Sequence, residues 1–346
     1  MNQISSVTVH ATAAVKFIIS AINRILSSLY HLLHTVAILG TLQILDLFIF
    51  ILNISTPLIA SNQTVSKPFS PDRPPQFSEH PFIWMTCCLA RLLGPDLSPE
   101  WLKWWSVWDG VCEDGKWKEA KMDDATQVSR GPCPGLNALA NHGIINYSGR
   151  DLSFHQIASA ISRTYNVSPF FAVRATVGAS PLFEGRKGIN LSDLSAHGMI
   201  EHDASLLRPD IDSSSQKTFK DIQSHPSPEL IERFFPSAKR PVTPSDCSKA
   251  LTIRRAECAA NNPTFYRTLK LDMIGSENCA ILLAITGGDR HVVRNLTGIK
   301  GYECFDTEWR PAERSAFGLT MVNAQFLLAW IELGTGSTFR PKHRDV

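Results

Sequence analysis

The first 60 residues distribute their apolar and polar positions differently from the rest of the chain. Between residues 11 and 34 the polar side chains form one stripe at helical spacing, which predicts an amphipathic helix lying on a membrane surface. Residues 36–54 are apolar apart from a few positions, Asp46 among them, and this run is long enough to cross a bilayer. We therefore expect residues 1–60 to be membrane-associated helices acting as a signal-anchor. A soluble hydrophobic helical arm is the alternative.

Downstream, the pattern predicts a linker, one domain and a short tail. Residues 61–78 are rich in proline and serine and are expected to be a linker, residues 79–335 the domain, and residues 336–346 a polar tail. Four tryptophans recur at helical spacing early in the domain, which favours core packing or docking at a membrane interface: Trp101, Trp104, Trp105 and Trp108. Near the C-terminus, the apolar run from Leu319 to Ile331 predicts a structural helix.

The stretch GPCPGLNALANHG, residues 131–143, predicts a helix that begins directly after a cysteine. Pro134 suits the first helical position, apolar residues then recur at helical spacing, and Gly143 suits a left-handed stop. Cys133 is therefore expected at or just before the N-cap, where free backbone N–H groups would face its sulfur and lower its pKa. A thiolate held in this way can be a nucleophile or a metal or haem ligand. An inert buried cysteine in a proline-rich turn is the alternative.

The stretch HGMIEHDASLLRPD, residues 197–210, places several polar side chains close together. Glu201, His202, Asp203 and Ser205 fall within five residues. Such a group could bind a hard cation through oxygen atoms, and it could equally form a capping and turn network between helices.

The stretch LKLDMIGSENCAILLAI, residues 269–285, carries Glu277 in a largely apolar run. This carboxyl group lies either on a solvated helix edge or in a buried position that raises its pKa. A buried glutamic acid with a raised pKa is suited to general acid–base chemistry near neutral pH.

Composition and charge limit the classes of function. The chain has 346 residues, 44% of them hydrophobic, and a formal charge of +2, so nothing indicates a nucleic-acid partner. Its 8 cysteines are scattered without a CxxC pair, which argues against a zinc ribbon or a thioredoxin-type site. Glycosylation sequons suggest a glycoprotein whose domain is lumenal or extracellular; they start at Asn53, Asn62, Asn146, Asn166, Asn190 and Asn295.

Together and in this order, PCPGLNALANHG, IEHDASL and a glutamate in a later apolar helix resemble the fungal haem-thiolate peroxidases, the family of chloroperoxidase and the unspecific peroxygenases. The resemblance extends over about residues 77–335. It implies a mainly α fold with a single helical haem-thiolate peroxidase domain, here preceded by the amphipathic and transmembrane helices. It also implies a haem b cofactor whose proximal iron ligand is the Cys133 thiolate.

The resemblance further assigns roles to the other two motifs. It implies a divalent cation, expected to be Mg²⁺, beside a haem propionate, with Glu201, the His202 carbonyl group and Ser205 as ligands. It implies that Glu277 is the distal acid–base and that the His202 side chain orients it, as in the His-type (EHD) group of the family. The sequence departs from the family pattern directly before this glutamate, where Ser276 stands in place of the usual glycine.

The expected enzyme would use hydrogen peroxide to hydroxylate, epoxidise, couple or halogenate a lipophilic organic substrate. The predicted membrane helix suits a fungal secondary-metabolite intermediate. Phe170 and Phe171 could line the substrate channel, although core packing is the more frequent role for such a pair. Two alternatives from other classes are a redox-silent family member that binds a biosynthetic intermediate, and a membrane-anchored partner protein without haem. A cysteine hydrolase is disfavoured because no signature of that class surrounds Cys133.

Overall fold

The computed structural model describes most of the domain and one N-terminal helix. The described residues are 37, 39–54, 116–121, 128–177, 183, 186, 188–210, 225–315 and 317–336. Several expectations therefore concern residues outside this set: the amphipathic stretch 11–34, the linker 61–78, the four-tryptophan stripe and the tail beyond residue 336.

The described part is mainly helical, as expected. A first helix, α1, covers residues 39–54. The helices that follow are α2 (Pro134–Asn141), α3 (Phe154–Tyr165), α4 (Pro169–Val177), the 3-10 helix η1 (Leu191–Ser195), α5 (Pro228–Phe234), α6 (Pro244–Asn261), α7 (Leu269–Thr286), α8 (Arg290–Thr297) and α9 (Met321–Gly334). The predicted C-terminal helix is thus confirmed as α9.

Two short strands form a small antiparallel sheet in the described part of the chain. Strand β1 (Leu152–Ser153) pairs with β2 (Gly188–Ile189), with Leu152 opposite Ile189. Ser153 then caps α3 through a reciprocal capping box with Gln156, so the sheet and the helix share one junction. This junction positions α3 against α4.

Two apolar clusters form the core of the described domain. One surrounds α2, α3 and α4, and Cys133 packs against it. The other lies between α6, α7 and α9. Phe170 and Phe171 are both buried, so the structure supports packing rather than a channel lining for this pair. Helix α7 contributes to both clusters, because Ile285 belongs to the first and Leu283 to the second. A group on α7 can therefore connect the two halves of the core.

The second half of α1, residues 46–54, is bonded to the domain. Asp46 is fully buried, its carboxylate accepts hydrogen bonds from the Ser168 hydroxyl and from the Met321 backbone N–H, and the second of these is 2.6 Å long. Asn53 bonds the backbone of Phe317 and Gly318. A search of the described helices finds none with both the length and the apolar character needed to cross a bilayer.

Candidate functional site

Cys133 is the N-cap of α2, as the sequence predicts. Its backbone is extended, with φ −84° and ψ 108°, and Pro134 takes the first helical position. Gly143 adopts the left-handed conformation after the helix, with φ +69°. Gly131 is required two residues before the cysteine, because a Cβ atom there would lie 2.2 Å from the Leu191 carbonyl oxygen. This close approach of backbone to η1 fixes the direction in which the cysteine loop enters α2.

The sulfur of Cys133 lies at the N-terminus of α2, in a half-buried residue. Burial is the largest effect on the pKa of this thiol and raises it. The backbone N–H groups of Leu136 and Gly135 and the charge of Arg208 act in the opposite direction, although the side chain makes no capping hydrogen bond. The expected lowering of the pKa is therefore wrong for the free thiol, because desolvation exceeds the effect of the helix N-terminus.

A buried ion pair braces the cysteine loop from the side of the EHD motif. Arg208 is fully buried and its Nη2 atom lies 2.5 Å from Glu303 Oε1. The same guanidinium donates to the Gly131 carbonyl oxygen, 3.2 Å away. Asn137 of α2 donates to both Gly131 O and Glu303 Oε1, at 2.8 and 2.9 Å. Arg208 therefore links the IEHDASLLR segment to the loop that carries Cys133.

His142, at the C-cap of α2, is held as a neutral ring. Its Nδ1 atom donates to the Lys118 carbonyl oxygen over 2.6 Å, and its Nε2 atom accepts from the Phe305 N–H over 3.1 Å. The ring stacks on Phe305 with centroids 3.9 Å apart. Burial lowers the pKa of His142, in agreement with this tautomer. The histidine of ANHG thus fastens α2 to the segment after α8.

Glu201 is buried, and its first partner is a histidine four residues earlier. Its Oε2 atom lies 2.7 Å from His197 Nδ1, while Asp203 Oδ2 lies 3.8 Å from His197 Nε2. The hydrogen bond to Glu201 is the main reason that the pKa of His197 is raised. Burial raises the pKa of Asp203. Of the two alternatives drawn from the sequence, the contacts present are those of a turn network, and the cation site stays a prediction.

Ser205, the other side chain predicted to bind the cation, is half-buried and accepts a 3.3 Å hydrogen bond from the Leu207 N–H. Within the described ranges, no group of three or more histidine, cysteine, aspartate or glutamate side chains is placed to hold a metal ion. The donor set at this point is one carboxylate, already bonded to His197, and one hydroxyl group. These are hard oxygen donors, which suit Mg²⁺ only if waters and a further anion complete its shell.

His202 lies beside α7, but next to Gly275 rather than Glu277. Its Nδ1 atom donates to the Asp203 carbonyl oxygen over 2.7 Å, and a Cβ atom on Gly275 would be 3.3 Å from its Cε1 atom. Residues 275 and 277 are separated by roughly 200° around a helix. Among the described residues, no hydrogen bond joins His202 to Glu277. The structure thus brings His202 to the helix of Glu277 but to a different face.

Glu277 lies on the face of α7 that carries Ile281 and Ala284, four and seven residues later. These two side chains are only partly buried and pack against the same core cluster as Cys133. Burial raises the pKa of Glu277, and Arg174 on α4 opposes part of that effect. The sequence-based expectation of a raised pKa therefore agrees with the structure. The carboxyl group is suited to exchange a proton near neutral pH.

The sequence reasoning missed three groups that the structure brings to these motifs: Arg208, Glu303 and Arg174. Arg208 lies within the stretch HGMIEHDASLLRPD. An arginine that is buried with such a motif needs a carboxylate partner, so its presence there could have predicted a buried ion pair. Glu303 and Arg174 come from segments without a recognisable pattern. Only tertiary packing brings them to the cysteine loop and to α7.

The fold and the site define a helical domain with a cysteine sulfur at a helix N-terminus and a half-buried carboxyl group on a second helix. A comparison with protein families identifies the family to which such a domain belongs. The family described as "Peroxidase, family 2" matches residues 116–314, which is more than half of the chain. The chain belongs to this family, which also contains chloroperoxidase-type proteins and in general implies a haem cofactor.

Two curated relatives are similar to parts of the chain. The dothistromin biosynthesis peroxidase of Dothistroma septosporum is 26% identical over 184 residues, covering 49% of this chain and 43% of that protein. The chloroperoxidase of Leptoxyphium fumago is 35% identical over 89 residues, covering 24% of each chain. The chain therefore matches less than half the length of either relative.

Proposed function

We propose that this protein is a haem-thiolate peroxidase or peroxygenase that uses hydrogen peroxide to oxidise a lipophilic organic substrate. The observation that carries the proposal is the Cys133 sulfur at the N-cap of α2, faced by the Gly135 and Leu136 N–H groups. Family membership supports the reaction class, and Glu277 supplies the acid–base group that a peroxide reaction needs.

The residues around Cys133 fit a thiolate-ligated haem b. The sulfur is a single soft donor at a helix N-terminus. Among the contacts described above, no other side chain of the loop is placed to bind the same metal ion. When bound, the haem would supply the electrons that cleave the O–O bond, and a thiolate ligand favours that cleavage. The two N–H groups and the charge of Arg208 would stabilise the sulfur as an anion and so tune how strongly it donates.

Glu277 would move one proton during peroxide cleavage. Its carboxylate would accept the proton of one peroxide oxygen and return it to the other oxygen, so that water can leave. A carboxyl group with a raised pKa is suited to both halves of this transfer at near-neutral pH. The proposed positioning of Glu277 by His202 would require the imidazole to move away from its place beside Gly275.

A magnesium ion near Glu201 and Ser205 is a further part of the proposal. The free oxygen of the Glu201 carboxylate, the Ser205 hydroxyl group and the His202 carbonyl group are the protein donors available to it. Waters and a propionate of the bound haem would complete an octahedral shell. Chelation of divalent cations is expected to weaken haem binding by the wild type and to leave haem binding by Glu201→Gln unchanged.

The proposal also includes the class of substrate and the cellular location of the enzyme. One relative is named for the biosynthesis of dothistromin, which supports a secondary-metabolite intermediate as the substrate class. Because residues 46–54 are bonded to the domain, residues 1–45 are the part of the N-terminal segment available to anchor the protein to a membrane. A lumenal or extracellular domain agrees with the sequons.

The test is an absorption spectrum of the full chain reconstituted with haem, reduced and exposed to carbon monoxide. The wild type is expected to show a strongly red-shifted Soret band, and Cys133→His is expected to lose it while still binding haem. Cys304→Ser is a matched control, because Cys304 is a free cysteine, 4% exposed, that is not at the N-terminus of a helix. A folded wild type without haem would contradict the proposal and favour the alternative of a membrane-anchored partner protein without haem.

A further inference from the structure

Three helices of the second core cluster meet at the side chain of Arg255. This residue lies on α6 and is buried. Its Nη1 and Nη2 atoms donate to the two carboxylate oxygens of Glu332 on α9, over 2.9 and 3.0 Å. The Nη2 atom also donates to the backbone carbonyl oxygen of Asp272 on α7, over 2.8 Å. One guanidinium group therefore connects α6, α7 and α9.

Ser276 joins the middle of α7 to this group. It is fully buried, its hydroxyl group donates to Glu332 Oε2, and its oxygen lies 3.4 Å from Arg255 Nη2. Burial acts to raise the pKa of Glu332, but the hydrogen bonds from Arg255 and Ser276 outweigh it and lower this pKa. The hydroxyl group thus bonds an ionised carboxylate, and hydrogen bonds of that kind are stronger than those between neutral groups.

A second contact holds the same side of α7 closer to its start. Asp272 lies one turn before Ser276 and is also buried. Both of its carboxylate oxygens accept from Arg267 Nε, over 2.9 and 2.8 Å, and Arg255 Nε lies 3.4 Å from Asp272 Oδ1. Helix α7 is therefore bonded at two successive turns of one face. Two such contacts fix the rotation of the helix about its own axis.

Glu277 follows Ser276 directly and lies on another side of α7, because successive helical residues are separated by roughly 100°. The side of Ser276 continues one turn later with Ala280, which belongs to the second core cluster. The side of Glu277 continues with Ile281, which packs against the first cluster, as Cys133 does. The rotation of α7 therefore decides which half of the core the Glu277 carboxyl group meets.

We propose that Ser276, held by Glu332 and Arg255, is a positioning residue for the peroxide reaction: it fixes the rotation of α7 and keeps Glu277 on the side of the core that Cys133 contacts. The inference rests on the proposed function, because it concerns the direction of the acid–base group. Without the Ser276 hydroxyl group, α7 loses its bond to α9 at the turn that carries Glu277. A small displacement of a reacting group is enough to slow a reaction that depends on its alignment.

The experiment compares Ser276→Ala, Glu332→Gln and Thr286→Val in the full chain. Ser276→Ala removes one hydrogen bond between α7 and α9, and Glu332→Gln removes the charge that this bond requires. Thr286→Val is the matched control, because it also removes a buried hydroxyl group from α7. The Thr286 hydroxyl group donates to the Leu282 carbonyl oxygen over 2.6 Å and accepts from the Gly288 N–H over 3.2 Å, so these bonds join α7 only to itself and to the turn after it.

The first measurement needs neither haem nor peroxide. The carboxyl carbons of the glutamates are labelled with ¹³C and titrated by NMR, and Glu277→Gln identifies the Glu277 signal. Burial raises the pKa of Glu277 in the wild type. Ser276→Ala and Glu332→Gln are expected to return this pKa towards the ordinary value, because the turned carboxyl group meets water, and Thr286→Val is expected to keep it raised.

An unchanged pKa of Glu277 in Ser276→Ala, or an equal fall in Thr286→Val, would overturn the inference. Neither result would bear on the peroxidase assignment. A wild type that binds no haem would instead contradict the proposed function, and the titration would still report the direction of the Glu277 carboxyl group.

Steady-state kinetics of the haem-loaded protein is the second measurement. Ser276→Ala is expected to lower kcat/KM for hydrogen peroxide about 10-fold, and Thr286→Val to leave it unchanged. Added to Glu277→Gln, the Ser276→Ala change is expected to cause no further loss, because it acts only through that carboxyl group. An additive loss, or an equal loss in Thr286→Val, would reduce Ser276 to a stabilising contact and overturn the positioning role.

Discussion

Glu277 illustrates how one half-buried side chain can contribute to reactivity and lower the stability of the fold at the same time. Its pKa is raised because burial disfavours the charged form. We expect Glu277→Gln to lower peroxide turnover roughly 10²–10⁴-fold, the usual contribution of a positioned acid–base group. Peroxide consumption by the haem-loaded protein measures this. Asn278→Ala, an exposed neighbour on the same helix, serves as the control and should keep full turnover.

The same carboxyl group gives a pH dependence of stability with a definite sign. Because its pKa is raised in the folded protein, its contribution to stability is fully present below the unfolded pKa and is lost as pH rises through the folded pKa. The neutral Glu277→Gln variant does not undergo this loss. The variant should therefore gain stability relative to the wild type as the pH rises above about 4.3, the ordinary pKa of a glutamate. Unfolding midpoints measured from this pH upwards would contradict the burial argument if the difference stayed constant.

The sequons differ in how their asparagine side chains are used. Asn166 and Asn295 are buried, and Asn166 Nδ2 donates to two backbone carbonyl groups. Asn146 is exposed, and its Oδ1 atom accepts from the hydroxyl group of Ser148, the serine of its own sequon. If the domain enters a secretory compartment, peptide mapping should find a glycan on Asn146 and none on Asn166 or Asn295. An unmodified Asn146 in protein from the native host would argue against a lumenal domain.

At the scale of elements, the ion pair between Arg208 and Glu303 connects the Cys133 loop to the segment after α8. Arg208 and Glu303 are both buried, so removing one partner leaves the other charge uncompensated. We expect Arg208→Met to lower the free energy of unfolding by about 3–5 kcal/mol. The double variant Arg208→Met, Glu303→Leu should recover part of that loss, because it leaves no isolated charge. Chemical denaturation of the two proteins measures the difference, and a double variant worse than the single one would contradict a simple ion-pair brace.

Helix-level predictions from the sequence succeeded where the signal was local. Pro134 and Gly143 mark the limits of α2, and both functioned as expected. Two other expectations concerned positions whose environment depends on distant partners. The pKa of Cys133 could not be judged from the helix N-terminus alone, because burial by the surrounding core is the larger effect. The place of His202 could not be judged either, since the absence of a side chain at Gly275 decides which face of α7 it meets.

At the scale of the whole molecule, polar contacts with the domain begin before residue 79, its expected start. Asp46 and Asn53 are bonded to the start of α9 and the segment before it. A chain of residues 37–346 should therefore be more stable than one of residues 61–346. We expect a midpoint difference of several degrees in thermal unfolding, with Asp46→Leu in the longer chain removing most of it. Equal midpoints would mean that α1 contributes nothing to the domain.

An apolar run with a single acid has two interpretations, and the sequence by itself favoured the bilayer. Asp46 was the departure from the pattern of a membrane span, and it is the residue that the fold uses. Its partners, Ser168 and Met321, lie more than a hundred residues away and carry no mark of their role. The cysteine loop could thus be inferred from local patterns and the overall helical class from the family resemblance, whereas the long-range polar ties could not.

The hydrogen bond between Asp46 and Met321 can form only late in the synthesis of the protein. The two residues are 275 positions apart, so α1 must wait until α9 has been synthesised. At ordinary translation rates this wait lasts roughly 14–55 s. During this time the inward face of residues 46–54 lacks its partners on α9 and in the segment before it, although Ser168 is made earlier. Its outward face meanwhile exposes Leu47, Phe48 and Ile51 to any other apolar surface.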